Sequence, residues 1–234
     1  MQLPHPLLEA RFLRRPNRFV VIAQLNGETV SAHLPDPGRL QELLVPGAAL
    51  LLAPRPEPGR RTPYQVILIR QGAVWISTDS RLPNALFREA LEAGRLPGWR
   101  GYTVAQAEVP RGHSRLDFLL QGPGGATDRV WAEVKSVTLV EGGCALFPDA
   151  VTARGARHMA ELMSLVEAGQ RALAAFVIQR SDVACFRPQW QADPTFARAL
   201  VQAAAAGVEV LACRCQVSPQ TIVITETVPV DLSV

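Results

Sequence analysis

The sequence predicts a mixed α/β (α+β) protein in two parts. Residues 1–80 read as an OB-like β-barrel, and residues 81–234 as an α/β domain with a central mixed sheet. Three observations support this. Between residues 18 and 80, short apolar stretches alternate with dense turn signals. From Leu82 onward, helical periods alternate with strand-like runs. The excess positive charge sits wholly in the first part, where nine arginines face six acids, whereas residues 81–234 balance 15 bases against 15 acids.

Composition narrows the classes. With 48% hydrophobic and 19% charged residues, the chain can bury a core, so wholesale disorder is excluded. The longest apolar run, Ala172–Ile178, has seven residues, against the roughly 20 of a spanning helix. No membrane partner is expected. The opening MQLPHPLLEARF has no basic start and no long apolar stretch, so a cytoplasmic location is expected. The four cysteines, Cys144, Cys185, Cys213 and Cys215, lack metal-ligand spacing and read as buried reduced thiols, with Cys213 and Cys215 as a redox pair a distant alternative.

The barrel elements come in order. RFVVIAQL (18–25) ends at Asn26-Gly27, a hairpin signal, and ETVSAHL (28–34) returns. The turn cluster Pro35-Asp36-Pro37-Gly38 comes next, then ALLLA (49–53) and YQVILIRQ (64–71), separated by PRPEPGRRTP. VWISTD closes the series. Five strands over some 65 residues suit a small barrel. With the basic excess, an oligonucleotide-binding barrel leads over a generic barrel with a solvated basic face. Arg14, Arg15, Arg18, Arg60 and Arg61 are its candidate DNA contacts.

In the second part, Pro83-Asn84 reads as the cap of a helix, ALFREALEA, that ends at Gly94. Strands are expected near 102–109, 114–120 and 129–140. A helix spans 157–168, ALAAFVIQ is a strand buried on both faces, and Asp193-Pro194 opens a helix that stops at Gly207. Two further strands complete the chain.

The chemistry centres on one residue type. Of the 24 basic residues, 23 are arginine and the exception is Lys135. An ammonium is a compact point charge that a guanidinium does not replace. Glu133 and Lys135 are two apart on a strand and share a face. A hairpin centred near Gly125 would place Asp117 opposite Glu133. Two converging carboxylates favour a divalent cation, Mg2+ or Mn2+, to which the Val134 carbonyl would add a ligand, with Lys135 orienting the attack on a phosphate. The plainer alternative is a solvated salt bridge.

These residues also carry a family resemblance. An Asp on one strand, then E-V-K on the next, then a helix and a buried strand, resembles the PD-(D/E)xK nuclease superfamily. The phrases AHLPDPGRLQELLVPG, TDSRLPNALFREALEAG, SRLDFLL, EVKSVTLVEGGCALFPDAVTARGARH and FVIQR resemble the sugar fermentation stimulation protein A family. The resemblance implies an N-terminal OB-type domain, a nuclease-like second domain and DNA binding. It assigns metal binding to Asp117 and Glu133 and assistance of the attack to Lys135, with Glu89 the nearest match to a helix glutamate that some members add. The function implied is a DNA-binding protein with a metal-dependent phosphodiesterase site, endonuclease or exonuclease. The alternative is a DNA-binding regulator of sugar metabolism that keeps the nuclease fold without catalysis; an enzyme of phosphorylated metabolites ranks third. The DNA form and a homodimer stay open.

Further candidates are weaker. Arg154, Arg157 and His158 open the 157–168 helix, where a phosphate or plain solvent would sit. Arg180 leaves the buried strand beside Gln179 and would clamp a phosphate or pair with Asp182. Asp149 would approach the metal or cap a turn. His33 and His113 read as surface or capping residues, with contact to substrate as the alternative. Trp75, Trp99, Trp131 and Trp190 are isolated, and no stacking platform is read from them.

Overall fold

Asn26 and Gly27, with φ of 50° and 86°, form the mirror-image turn that joins β2 (Val20–Leu25) to β3 (Glu28–His33). The structure is a computed structural model that describes residues 1–57, 59–111 and 114–233. β1 (Leu8–Asn17) pairs with β2 and with β4 (Ala49–Pro54), and β4 pairs with β5 (Tyr64–Gln71). The barrel closes where β5 meets β3 in parallel at Ala32–Tyr64 and His33–Gln65. β6 (Val74–Ser77) adds to the outer edge of β5. Five strands therefore close an OB-type barrel around Val21, Ala23, Leu50, Leu52, Val66 and Ile69. β1 departs from expectation, since the sequence pattern places the first strand at Arg18. Its buried residues are only Ala10 and Phe12, set among charged neighbours that hide the alternation.

The second part builds on one six-stranded mixed sheet. β7 (Thr103–Arg111), β8 (Ser114–Gln121) and β9 (Arg129–Val137) form an antiparallel meander. β12 (Arg171–Ile178) lies parallel between β9 and β14 (Glu209–Val217), and β15 (Ile222–Val228) ends the sheet. Alternation along β9 and β12 divides two cores. Val130, Ala132, Val134, Leu173 and Ala175 pack with α1 (Leu82–Glu92). Ala172, Ala174 and Phe176 pack with α2 (Ala153–Glu167) and α3 (Pro194–Ala205) on the other face. β12 is accordingly buried on both sides, as its unbroken apolar run predicts.

The helix ends are set by local chemistry. Asp193 caps α3 by accepting the Phe196 N–H. Thr152 caps α2 through the Gly155 N–H, so this helix begins earlier than its apolar spacing suggests. Asn84 is not a cap: α1 starts at Leu82, and Asn84 lies within its first turn, its side chain available to another partner.

A small sheet of β10 (Val140–Glu141), β11 (Cys144–Phe147) and β13 (Cys185–Pro188) flanks the main one. Here the reading of four reduced thiols is corrected. Cys144 and Cys185 face each other in register on parallel strands and form a disulfide, a long-range pairing that no local pattern reveals. Cys213 and Cys215 are free and buried, and burial pushes the Cys213 thiol up to about 12.

Buried polar contacts join the two parts. Arg180, 3% exposed, grips Asp182 with two nitrogens and also donates to the Thr138 carbonyl and to Gln71 on β5. Its role as a DNA contact is thereby corrected, because its donors are occupied inside the protein. Asp149 accepts the Arg39 N–H across the same seam. Gly38 is required there, since a Cβ would come within 2.6 Å of Asp149 Oδ2 and 2.8 Å of Asp36 Oδ1.

Asp36 is strained electrostatically in this seam. Burial pushes its carboxyl up to about 6; the Gly38 N–H and Arg15 oppose the rise, and the Asp149 charge adds to it. A raised acid binds its proton more tightly in the folded chain than in the unfolded one, so stability falls as pH rises between about 4 and 6. Asp36→Asn, which keeps the acceptor for Gly38, should flatten that fall and stabilise the protein at pH 7.5 by about 2–3 kcal/mol. Urea denaturation at pH 4 and pH 7.5 checks this, and an unchanged slope would refute it.

Candidate metal centre and nucleic-acid face

β8 and β9 pair from Gln121–Arg129 to Phe118–Ala132, a register symmetric about position 125. The pairing stops one step short of Asp117 and Glu133, where the strands part. Asp117 uses the gap: its Oδ2 accepts the Val134 N–H at 2.8 Å. Its Oδ1 accepts Asn84 Nδ2 at 2.8 Å, so α1 reaches the site through Asn84. Glu89, the expected helix carboxylate, does not come to the site. It binds the Met1 amine and Arg95 instead, about 140° around the helix from Asn84.

Glu133 is 3% exposed at the centre of the sheet. Its Oε1 accepts from Lys135 Nζ at 2.5 Å and from His158 Nδ1. Lys135 Nζ lies 3.2 Å from the same ring nitrogen. On the far side of the ring, Arg154 Nε donates to Nε2 at 3.3 Å. A guanidinium only donates, so Nε2 carries no proton and the ring proton sits on Nδ1, directed at Glu133. His158 lies in the buried stripe of α2, with Gly155, Met159, Leu162 and Leu165. A histidine at core spacing is the signal that could have separated it from the exposed arginines around it.

The two carboxylates are driven apart. Burial raises Glu133, but the His158 hydrogen bond and the Lys135 charge outweigh it and hold the group below the usual carboxylate range. Burial and then the Glu133 charge push Asp117 up, against the Val134 and Asn84 donors. One oxygen is left over: Glu133 Oε2 is buried with no hydrogen-bond partner among the described residues. A partnerless carboxylate oxygen beside a second carboxylate fits a hard divalent cation. Among the described residues no group of three or more His, Cys, Asp or Glu is arranged to hold a metal ion. The donor set is therefore two carboxylates, which suits an ion that keeps most of its positions for water or phosphate.

Two adjoining concavities carry the barrel's arginines. A cleft of about 500 Å³ between the two parts is lined by Arg18, Arg39, Asp149 and Ser136, the last adjoining Lys135 in sequence. A groove of about 510 Å³ on the barrel is lined by Arg14, Arg15, Arg18 and Arg39, and the two share Arg18 and Arg39. The candidate arginines divide. Arg14, Arg18 and Arg61 are exposed and make no ion pair among the described residues. Arg154 and Arg157 are exposed on the first turns of α2. Arg60 is paired with Glu57 at 2.5 Å. Arg15 donates to the carbonyls of Arg18, Asp36 and Arg39 and holds the loop. Asp149 faces the barrel, His33 ends β3, and His113 lies outside the described residues.

Family models match both parts: "SfsA N-terminal OB domain" over residues 13–78 and "Sugar fermentation stimulation protein RE domain" over residues 81–221. The chain belongs to the sugar fermentation stimulation protein family. A sugar fermentation stimulation protein homolog from Moorella thermoacetica is 53% identical over 233 residues, 99% of this chain and 100% of that one. One from Chloroflexus aurantiacus is 47% identical over 97% of this chain and 87% of its own. Among solved structures of the family, Pyrococcus furiosus SfsA in complex with Ca2+ superposes with a TM-score of 0.88 at 32% identity, covering 99% of this chain and 98% of that one. Among the described residues of this family member, no helix is long and apolar enough to cross a membrane.

The tautomer assigned above is open to measurement. Long-range nitrogen–proton correlation spectra should show His158 protonated at Nδ1 and unprotonated at Nε2 near neutral pH. The reverse pattern would remove Arg154 as the group that orients the ring.

Proposed function

We propose that this protein is a DNA-binding phosphodiesterase that uses Mg2+ or Mn2+. The observation that carries the reading is the buried Oε2 of Glu133, without a hydrogen-bond partner among the described residues, beside Asp117 and the chain's single lysine. A relative that covers nearly the whole chain is in complex with Ca2+, which supports a hard divalent cation for this chain too. Asp117 and Glu133 would hold the ion, with the Val134 carbonyl as a further ligand. The ion would supply electrophilic activation of a phosphate and of the water that attacks it.

The protein's own groups do the positioning. Asn84 and the Val134 N–H hold Asp117, while His158 holds Glu133. Lys135 Nζ stands beside the carboxylate, where it would donate to an oxygen of the scissile phosphate or orient the attacking water. Arg14, Arg18 and Arg61 on the barrel, with Arg154 and Arg157 on α2, would hold the flanking phosphates. We also propose that the barrel, near residues 1–80, serves binding and the domain of residues 81–234 serves chemistry, in a cytoplasmic protein.

One observation favours a second reading, a DNA-binding regulator without turnover: Lys135 Nζ is already engaged by Glu133 Oε1. Cleavage of end-labelled single-stranded, duplex and branched DNA separates the two. Wild type should cut with Mg2+ or Mn2+ and not with EDTA. Glu133→Gln should lose about 100-fold or more of that activity and also the rise in Tm that Mn2+ gives the wild type. Tight binding without any metal-dependent product from wild type would favour the regulator.

DNA affinity should fall steeply with salt as counterions are released. Arg14→Ala with Arg18→Ala should lower the magnitude of the log–log salt slope by about 2, alike for all DNA sequences. An unchanged slope would remove these two arginines from the binding face.

A further inference from the structure

We infer that the barrel carries a stacking site for single-stranded DNA built on Phe19 and His33. The proposal rests on the DNA reading above and deepens it by naming a single strand as the form bound next to the metal centre.

The aromatic surface comes first. Phe19 lies in the turn between β1 and β2 and is 49% exposed, the one aromatic among the large apolar side chains left open to solvent in the described residues. Nothing in the core needs it there. Its ring lies nearly parallel to the His33 imidazole, with centroids 6.4 Å apart and planes inclined by 23°. The Phe19 carbonyl accepts the Leu34 N–H, which ties the turn to the end of β3. Burial, and then the neighbouring Arg55 charge, hold His33 below the ordinary histidine range, so the ring stays uncharged at neutral pH and presents a π-face.

Cations surround this pair. Arg18 precedes Phe19 in the turn and is exposed. Arg55 begins the β4–β5 connection beside His33, and Arg61 lies further along it. The Arg61 carbonyl accepts Ser31 Oγ at 2.7 Å, which pins this connection against β3. None of Arg18, Arg55 and Arg61 forms an ion pair among the described residues, unlike Arg60 next to them. Barrels of this architecture bind oligonucleotides on the β2–β3 face between the β1–β2 and β4–β5 connections. An open aromatic face ringed by unneutralised arginines matches a strand whose bases are free to stack and whose phosphates need partners. A duplex offers the phosphates but hides the base faces.

The position also gives direction. Arg18 lines the cleft that runs between the two parts to Ser136, adjoining Lys135. A strand stacked on Phe19 would have its next phosphates beside Arg18, at the mouth of that cleft.

The test is equilibrium binding by fluorescence anisotropy in EDTA at low salt, with a thymidine oligonucleotide of about 12 nucleotides and a duplex of matched charge. Phe19→Ala should weaken single-strand binding by about 10-fold and duplex binding by less than about 2-fold. Phe19→Trp should restore it, and an abasic oligonucleotide should bind wild type and Phe19→Ala alike. Thermal melts of both variants verify folding, which an exposed ring should not affect. Single-strand affinity unchanged in Phe19→Ala, or weakened equally for both DNA forms, would overturn the proposal. Absence of any DNA binding by wild type would overturn it together with the DNA reading. Phe19-dependent binding by a wild type that never cleaves would leave the stacking site standing and overturn catalysis alone.

Discussion

The negative charge of Glu133 is the constraint on which the second sheet is organised. A carboxylate almost wholly removed from water must be compensated by hydrogen bonds and opposite charge, or it will not stay ionised. Three groups supply that compensation. β9 brings Lys135 to the same face two residues on, α2 brings His158 from above, and Arg154 fixes which ring nitrogen donates. The compensation is incomplete by one oxygen, and the fold tolerates this where it places a second carboxylate alongside. Stability alone would be served better by an apolar residue at position 133. Incomplete satisfaction at the centre of an otherwise well-packed sheet is the feature on which the proposed metal site rests.

The two parts of the molecule share an apolar core, in which Leu51, Ala53, Ile67 and Leu68 of the barrel pack with α1 and the second sheet, and buried polar contacts fix the seam beside it. Arg180 links the end of β12 to β5, and Gln179 reaches Ser136 and the Asp79 carbonyl. Both residues leave the central parallel strand at its C-terminal end, beside the Lys135–Ser136 segment of β9. The barrel's orientation is thus referred directly to the strands that carry the site.

Much of this was legible in the sequence because it is local. The β8–β9 hairpin has a side-chain period of two and a centre near Gly125, which together place Asp117 across from Glu133 without knowledge of the fold. The lone lysine marks itself by contrast with 23 arginines. What escaped is tertiary. Asn84 looks like a cap until the helix is seen to start earlier and to pass the strand gap. His158 looks like part of a basic helix end until its face is known. The disulfide depends on the register of strands 41 residues apart. Arginines that read alike in sequence separate only by their neighbours. Arg15 and Arg180 are spent on carbonyls and Asp182, and Arg60 on Glu57, while Arg14 and Arg18 make no ion pair among the described residues.

The single lysine has one more consequence. A protease that cuts after lysine has one peptide bond to attack in this chain, and it lies near the C-terminal end of β9, where that strand is paired with β12. Surface loops and fraying ends, rich in arginine, offer such an enzyme nothing. Its rate of cutting therefore reports the opening of the sheet that holds Glu133, and little else. The residue that singles out the site by its chemistry also makes the site's own stability separately observable from that of the barrel.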